Sequence, residues 1–214
     1  MAGKPQHLCT DPDELRRIGV LPVTFAAAYA AGTAAWEIGS PQPIILELAE
    51  RGAFIGRVLD IGCGTGENAL ELARRGVDIT AIDCVEQAIN EARAKARERG
   101  LRVDFQIGDA LRLDRLNSTF DTILDSATYH VFSDADRLAY VRGVASRLRF
   151  GGMLHLIVFS EAETRPGGPR RVSRAELEAA FGAGWRIRAV EPTRYMVRMF
   201  DDGARAWAAT IERV

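Results

Sequence analysis

The chain reads Val58-Leu59-Asp60-Ile61-Gly62-Cys63-Gly64-Thr65-Gly66 where a short apolar run meets three glycines at alternate positions. Glycine adopts positive φ angles and has no side chain to obstruct a ligand that approaches the backbone. A helix that begins near Glu67 would direct its free N–H groups and its positive dipole end toward the turn. The stretch therefore predicts a strand, a turn and a helix that together bind an anionic group such as a carboxylate.

From this unit onward, apolar β-branched runs alternate with helical patterns, which is typical of an α/β fold built around a buried sheet. Strands are predicted over residues 57–61, 77–82, 103–107, 119–124, 153–159, 185–190 and 195–199, and helices over 67–75, 86–99, 135–148 and 174–181. Ser173 and Glu176 have the spacing of a capping box that opens the last of these helices. The pattern predicts a mostly parallel seven-stranded sheet.

Residues 1–55 have a different pattern, with an Ala-rich helix predicted over residues 23–30 and a second helix that ends near Arg51. Glycines and prolines separate the two helices, and this is typical of a connecting segment. We expect residues 1–55 to form a helical lid or pocket wall, and residues 56–214 to form the catalytic domain. A chain of 214 residues is the length of one structural domain.

The charge balance narrows the range of partners. Lys and Arg number 28 against 29 Asp and Glu, so no basic field is available to hold a phosphate backbone. No apolar run approaches the ~20 residues that span a bilayer, and the first six residues lack the apolar core of a secretory signal. The composition predicts a cytoplasmic monomer or homodimer that acts on a small molecule and binds neither nucleic acid nor membrane.

Potential metal ligands are few and scattered. The three cysteines are Cys9, Cys63 and Cys84, the three histidines are His7, His130 and His155, and no pair has Cys-x-x-Cys or His-x-x-x-His spacing. Neither a disulfide framework nor a zinc site is indicated by such a distribution. We predict a protein without a metal centre.

The spacing around the glycines separates two kinds of cofactor. A dinucleotide site has Gly-x-Gly-x-x-Gly, whereas here the spacing is Gly-x-Gly-x-Gly. Asp60 would be unfavourable beside a pyrophosphate but favourable beside the ammonium group of an amino-acid-like ligand. The spacing and Asp60 together favour a cofactor with an amino-acid-like part. A dinucleotide-dependent oxidoreductase and an ordinary glycine-rich turn remain alternatives.

Two further aspartates follow the next two predicted strands. Asp83, followed by Cys84, comes about twenty residues after the glycines, where a carboxylate accepts hydrogen bonds from both hydroxyls of a ribose. Asp109 and Ala110 follow the third strand beside the same crevice, where Asp109 is placed to accept from an exocyclic amine such as that of adenine. The alternatives are a solvated Asp83 and an Asp109 that caps a turn.

In this order the features resemble the class I S-adenosylmethionine-dependent methyltransferases, over about residues 57–160. The first motif of that family is matched by residues 60–66, the second by Asp83 and the third by Asp109-Ala110. The resemblance implies S-adenosylmethionine as cofactor and S-adenosylhomocysteine as product. It also implies that Gly62, Cys63, Gly64 and Gly66 hold the methionine part. The sheet implied by the resemblance is doubly wound, with a reversed seventh strand.

Residues 29–43 carry a narrower resemblance, to thiopurine and thiol methyltransferase-like proteins. Those proteins have Trp-Asp-x-Gly-x-Pro-Gln-Pro, and this chain has Trp36-Glu37-Ile38-Gly39-Ser40-Pro41-Gln42-Pro43. The resemblance implies that Trp36 packs over the bound donor as an aromatic lid. Glu37 replaces the usual Asp, and Ala34-Ala35 replace the usual prolines.

The acceptor side is predicted at residues 120–132, where methyltransferases of this class place groups that face the transferred methyl. His130 is the candidate general base, because an unperturbed pKa near ~6.5 leaves a neutral imidazole at working pH. Tyr129 or Asp125 would orient His130 or the acceptor, and Asp125 is also a candidate donor contact. In the alternative reading, His130 caps a helix or fills the pocket wall.

The segment lacks the Asn-Pro-Pro-Tyr and Asp-Pro-Pro-Trp motifs of enzymes that methylate amino groups of nucleic-acid bases. We therefore expect transfer to a thiol, hydroxyl or ring nitrogen of a small, aromatic or heterocyclic molecule, in detoxification or secondary metabolism. A catalytically silent protein that binds S-adenosylmethionine as a sensor is the alternative from a different functional class.

Overall fold

A computed structural model of the protein describes residues 19–20 and 22–214. Its helices are α1 (Pro22–Ala30), α2 (Pro43–Glu50), α3 (Glu67–Arg74), α4 (Glu86–Glu98), α5 (Asp134–Arg147) and α6 (Arg174–Ala180). Its strands are β1 (Arg57–Ile61), β2 (Asp78–Asp83), β3 (Asp104–Ile107), β4 (Phe120–Ser126), β5 (Leu148–Phe159), β6 (Trp185–Val197) and β7 (Phe200–Arg213). Two 3-10 helices, η1 (Ala110–Arg115) and η2 (Tyr129–Val131), lie on either side of β4.

The seven strands form one sheet in the order β3-β2-β1-β4-β5-β7-β6. The number of strands confirms the prediction, but the predicted mostly parallel sheet needs correction because the sheet is mixed. Strand β7 pairs antiparallel with both β5 and β6, whereas the other pairings are parallel. The strand order reverses between β1 and β4, and in open α/β sheets a ligand crevice opens at such a point.

Apolar layers cover both faces of the sheet. One layer packs α2, α3 and α4 against the strands, with Ile45, Leu70 and Ile89 among its buried side chains. The other contains Tyr140 of α5 and Leu177 of α6. Strand β1 lies between the two layers and is buried from its second residue onward, which explains its near-continuous apolar sequence.

The C-terminal strands differ most from the prediction. Residues 195–199 were expected to form a separate last strand, but residues 195–197 are the end of β6, and the seventh strand is Phe200–Arg213. Alanines supply much of the buried surface of β7, and alanine has low strand propensity. Pairing with β5 and β6 stabilises this strand where local propensity gives little signal.

Residues 1–18 and 21 lie outside the described residues, and so do His7, Cys9 and the first part of the predicted lid. The two predicted N-terminal helices correspond to α1 and α2. Within residues 19–20 and 22–214, no helix combines the length and the apolar character needed to cross a membrane.

Candidate active site

A cavity of about 390 Å³ opens at the carboxyl ends of β1, β2, β3 and β4. Its volume lies within the range of small-molecule sites in proteins. One side consists of residues that the sequence predicts to bind a donor: Gly62, Cys63, Gly64, Gly66, Asp83, Cys84, Asp109 and Ala110. The predicted site residues from three separate loops therefore line one space.

Glycine is required at the first position of the turn. Gly62 has a φ of 69°, and a Cβ there would lie 2.0 Å from Oγ1 of Thr128. The Gly62 and Cys63 N–H groups both donate to the carbonyl of Ile82, at 2.8 and 2.9 Å. Since Gly66 is the N-cap of α3, the turn passes directly into the first turn of that helix. The free N–H groups at this end are suited to an anionic group.

Asp60 is a buried carboxyl without a compensating partner. Its side chain is completely buried, and neither oxygen has a hydrogen-bond partner. Burial and the nearby charges of Asp125 and Asp83 raise its pKa to about 8. An isolated buried carboxylate is costly, so this position is suited to a cationic group.

Asp83 is held in place by backbone groups of its own loop and of the glycine turn. Oδ2 accepts a hydrogen bond from the Gly64 N–H at 3.0 Å, and Oδ1 accepts one from the Val85 N–H at 2.8 Å. Burial raises the pKa of Asp83, and these two N–H groups oppose that rise. Each oxygen retains a lone pair for a further donor, as the prediction of ribose binding requires. The neighbouring Cys84 is an exposed free thiol.

Asp109 caps η1, because its Oδ1 accepts a hydrogen bond from the Leu111 N–H at 2.8 Å. This is the capping alternative that the sequence left open. Asp109 nevertheless lines the cavity together with Ala110, and its side chain is exposed. The predicted contact with an adenine amine stays a prediction.

Trp36 belongs to an aromatic cluster on the cavity wall. Its ring lies edge-on to the rings of Phe25 and Tyr29, with centroid distances of 5.6 and 5.7 Å. Its Nε1–H donates to the Tyr29 hydroxyl at 2.8 Å, and that hydroxyl donates to Oε1 of Glu37 at 3.1 Å. The sequence shows Glu37 only as a replacement for the Asp of the Trp-Asp-x-Gly motif. It does not predict the contacts that Glu37 makes with residues far away in the chain.

His130 lines the cavity but has little capacity to accept a proton. Its Nδ1 accepts a hydrogen bond from the Phe159 N–H at 3.1 Å, and the two rings lie edge-on with a centroid distance of 5.1 Å. Burial, together with the positive charges of Arg137 and Arg171, lowers its pKa to about 3. This geometry opposes the predicted base role, which stays a prediction, and favours the alternative in which His130 is part of the wall.

Asp125 and Tyr129 do not line the cavity. Asp125 is completely buried and accepts hydrogen bonds from the Thr128 N–H, the Tyr129 N–H and the Tyr140 hydroxyl. Tyr129 is also buried, with its ring against those of Tyr140 and Phe181. Their predicted roles in acceptor or donor binding stay predictions, although these contacts favour a structural role in shaping the loop after β4.

Aromatic and aliphatic side chains, together with polar ones such as Gln42, Asn68 and Asp136, line the rest of the cavity. Phe25 comes from α1, and Phe132 directly follows η2. The C-terminal part of the chain contributes Phe159 of β5, Tyr195 and Val197 of β6, and Met199 between β6 and β7. The sequence predicted Phe132 as an acceptor-side residue but missed Phe159, Tyr195 and Met199. These residues reach the cavity because β7 pairs with both β5 and β6, an arrangement that no local pattern indicates.

Comparison with known proteins gives concordant findings. Residues 58–152 match the family described as "Methyltransferase domain". The chain is 35% identical over 179 residues to 2-heptyl-1-hydroxyquinolin-4(1H)-one methyltransferase of Mycobacteroides abscessus, covering 81% of this chain and 79% of that protein. It is 27% identical over 154 residues to probable thiol methyltransferase 2 of Arabidopsis thaliana, covering 71% and 68% of the two chains.

A solved structure has the same architecture. It is described as "Conversion of a Disulfide Bond into a Thioacetal Group during Echinomycin Biosynthesis", and its chain superposes with a TM-score of 0.81 at 29% identity. The superposition covers 89% of this chain and 92% of that chain. The similarity therefore extends over most of both chains.

Proposed function

This chain belongs to the class I S-adenosylmethionine-dependent methyltransferases, and we propose that it methylates a thiol, hydroxyl or ring nitrogen of a small aromatic or heterocyclic molecule. One observation carries the proposal. A single cavity combines the acidic and glycine residues of the donor site with a wall of aromatic side chains. Such a wall favours a planar apolar molecule as the second ligand.

S-adenosylmethionine fits the chemistry of the residues at the strand ends. We assign its carboxylate to the first turn of α3 beside the glycine turn, whose own N–H groups already have partners, and its ammonium group to Asp60, whose oxygens have no other partner. We assign its ribose to Asp83, and its adenine to the wall at Asp109 and Ala110. When bound, the donor supplies an electrophilic methyl group, and the protein has to align the acceptor with it.

The relatives support the class of acceptor. One is named for a hydroxyquinolinone and another for a thiol. A thiol or an acidic hydroxyl ionises in solution, so its methylation needs little help from a general base. This agrees with the structure of His130, whose Nδ1 is engaged by the Phe159 N–H.

A panel of acceptors tests the proposal directly. Thiophenols, phenols, N-hydroxyquinolinones and N-heterocycles are incubated with S-adenosylmethionine, and the products are identified by mass. We expect at least one aromatic class to gain one methyl group, with S-adenosylhomocysteine released in equal amount. Tight donor binding with no turnover across the whole panel would instead support the silent sensor.

We expect His130→Asn to retain turnover within about threefold of the parent, because a pKa of about 3 makes the parent imidazole a weak proton acceptor throughout the assay range. Asparagine retains an oxygen that accepts from the Phe159 N–H. The measurement is kcat from pH 6 to 9 with a saturating acceptor. A loss of more than about tenfold, with unchanged donor affinity, would restore the base role.

We expect donor binding to release a proton, because the pKa of Asp60 is raised in the donor-free protein. With a pKa of about 8, its carboxyl is mostly protonated at pH 7 in the free protein. A bound ammonium group lowers that pKa, so ionisation accompanies binding below pH 8 and disappears above about pH 9. Titration calorimetry in buffers of different ionisation enthalpy measures the proton count. Asp60→Asn should abolish the release, and an unchanged count in that variant would contradict this prediction.

Several finer predictions accompany this proposal. The thiopurine methyltransferase-like grouping and the lid role of Trp36 receive support from the position of Trp36 on the cavity wall. The division at residues 55 and 56, the cytoplasmic location, the monomeric or homodimeric state and the exclusion of nucleic acid stay predictions from the sequence.

A further inference from the structure

We propose that Glu37 is a positioning residue that fastens the cover segment, residues 22–40, to the glycine turn of the donor site. The proposal rests on the proposed function only for the identity of the ligand beneath the segment. The attachment itself is a set of contacts between residues that are far apart in the sequence.

Both carboxylate oxygens of Glu37 bind the middle of the glycine turn. Oε2 accepts a hydrogen bond from the Thr65 hydroxyl at 2.6 Å, and Oε1 accepts one from the Thr65 N–H at 3.2 Å. Hydrogen bonds to an ionised acceptor are stronger than neutral ones. Glu37 is thus a two-point connection between the cover segment and the turn.

Lys95 fixes the direction of this hydrogen-bond chain. Its Nζ donates to the Thr65 hydroxyl at 2.7 Å and forms an ion pair with Glu67 at 3.0 Å. An ammonium group has only donors to offer, so the single hydroxyl proton of Thr65 has to point toward Glu37. The site opposite Thr65 therefore requires an acceptor, which a carboxylate provides with both oxygens and an amide with only one.

On its other side Glu37 holds the aromatic part of the cover segment. Its Oε1 accepts from the Tyr29 hydroxyl, which in turn accepts from the Trp36 indole N–H. A Cβ on Gly64 would lie 2.6 Å from Oε1 of Glu37 and 2.8 Å from the Tyr29 hydroxyl. The cover segment therefore lies directly on the donor turn, at a distance that only glycine permits.

Other contacts hold the cover segment independently of Glu37, so a variant at this position should still fold. Tyr29 and Ala34 are buried in an apolar cluster with Val85 and Ala88, which belong to the loop before α4 and to α4 itself. The Arg198 N–H donates to the carbonyl of Ala35 at 2.8 Å. Loss of the carboxylate is thus expected to loosen the segment over the turn without releasing it.

Hydrogen exchange in the donor-free protein tests the attachment. We expect Glu37→Gln to accelerate amide exchange across residues 22–40 by about tenfold, because the new amide N–H₂ group faces the Thr65 donors. Glu47→Gln is the matched control, since the Glu47 side chain lies exposed on α2 in an ion pair with Arg51. Exchange in Glu37→Gln within twofold of this control would overturn the proposal.

Thr65→Ala removes the hydroxyl that binds Oε2 of Glu37 and keeps the backbone N–H that binds Oε1. If Glu37 acts through Thr65, the double variant should exchange no faster than the faster single variant, whereas additive effects would overturn the proposal. A second measurement concerns the bound donor. Glu37→Gln should raise the dissociation rate of S-adenosylmethionine by about tenfold, and it should change kcat less than the KM for S-adenosylmethionine. Failure of the parent protein to bind this donor would count against the proposed function and leave the exchange result standing.

Discussion

Asp83→Ala is expected to weaken the binding of S-adenosylmethionine by about 100-fold to 10,000-fold, given two hydrogen bonds to a charged acceptor at ~1.5–3 kcal/mol each. The carboxylate has both oxygens positioned by backbone N–H groups, from Gly64 at 3.0 Å and Val85 at 2.8 Å. Little ordering is therefore required when a ribose binds. Alanine would also release the Gly64 N–H and so loosen the glycine turn.

Titration calorimetry with S-adenosylmethionine and with S-adenosylhomocysteine measures this loss. Asp83→Asn should fall between the parent and the alanine variant, because an amide retains one acceptor oxygen and has no charge. Asp78→Ala is the matched control, since Asp78 is exposed at the opposite end of the same strand. A dissociation constant for Asp83→Ala within about threefold of this control would show that Asp83 is not the ribose anchor.

The parts of the site that the sequence predicted depend on short-range rules. A strand followed by alternating glycines and a helix restricts the backbone within nine residues. The strand and turn at residues 58–66 are therefore predicted from the local sequence alone. Asp83 is similarly local, because it is the last residue of β2, and the ends of neighbouring parallel strands share one edge of the sheet. The aromatic residues proposed to contact the acceptor could not be predicted in this way. Phe159 and Tyr195 reach the cavity through the pairing of β5, β7 and β6.

The chemical role of His130 was also not predictable from the local sequence. The residue type and its position after β4 suggested a base, as its unperturbed pKa allows. Burial and the positive charges of Arg137 and Arg171 instead lower that pKa to about 3. Its Nδ1 accepts from the N–H of Phe159, which is 29 residues away in the chain and adjacent in the fold. Glu37 and Thr65 are likewise separated by 28 residues. Contacts of this range depend on the assembled sheet, so no local pattern predicts them.

Glu176→Gln is expected to lower the free energy of unfolding by about 3–5 kcal/mol, because the parent carboxylate compensates buried guanidinium groups. Arg137 and Arg170 are each only 5% exposed. Oε1 of Glu176 accepts from Nη2 of Arg170 at 2.5 Å and lies 3.5 Å from Nη1 of Arg137. Its Oε2 accepts from the Ser173 N–H at 2.8 Å and completes the capping box of α6.

Urea unfolding at pH 7 measures the difference, with Glu178→Gln as the matched control because Glu178 is exposed on the same helix. Asp134 also pairs with Arg170, but its side chain is 64% exposed, so it compensates less of the buried charge. A loss in Glu176→Gln within about 0.5 kcal/mol of the control would mean that the buried arginines do not depend on this carboxylate.

The double variant Glu176→Gln with Arg137→Met separates charge compensation from helix capping. Methionine removes one of the two buried cations, so part of the stability lost in Glu176→Gln should return, while a loss due to the cap alone would remain.

The cluster of Glu176, Arg137 and Arg170 also lies next to the cavity, because Arg170 directly follows Gly168 and Pro169, which line it. Glu176→Gln should therefore also raise KM for an aromatic acceptor more than the dissociation constant for the donor, whose proposed binding residues lie at the ends of β1, β2 and β3 and in the segments that follow them.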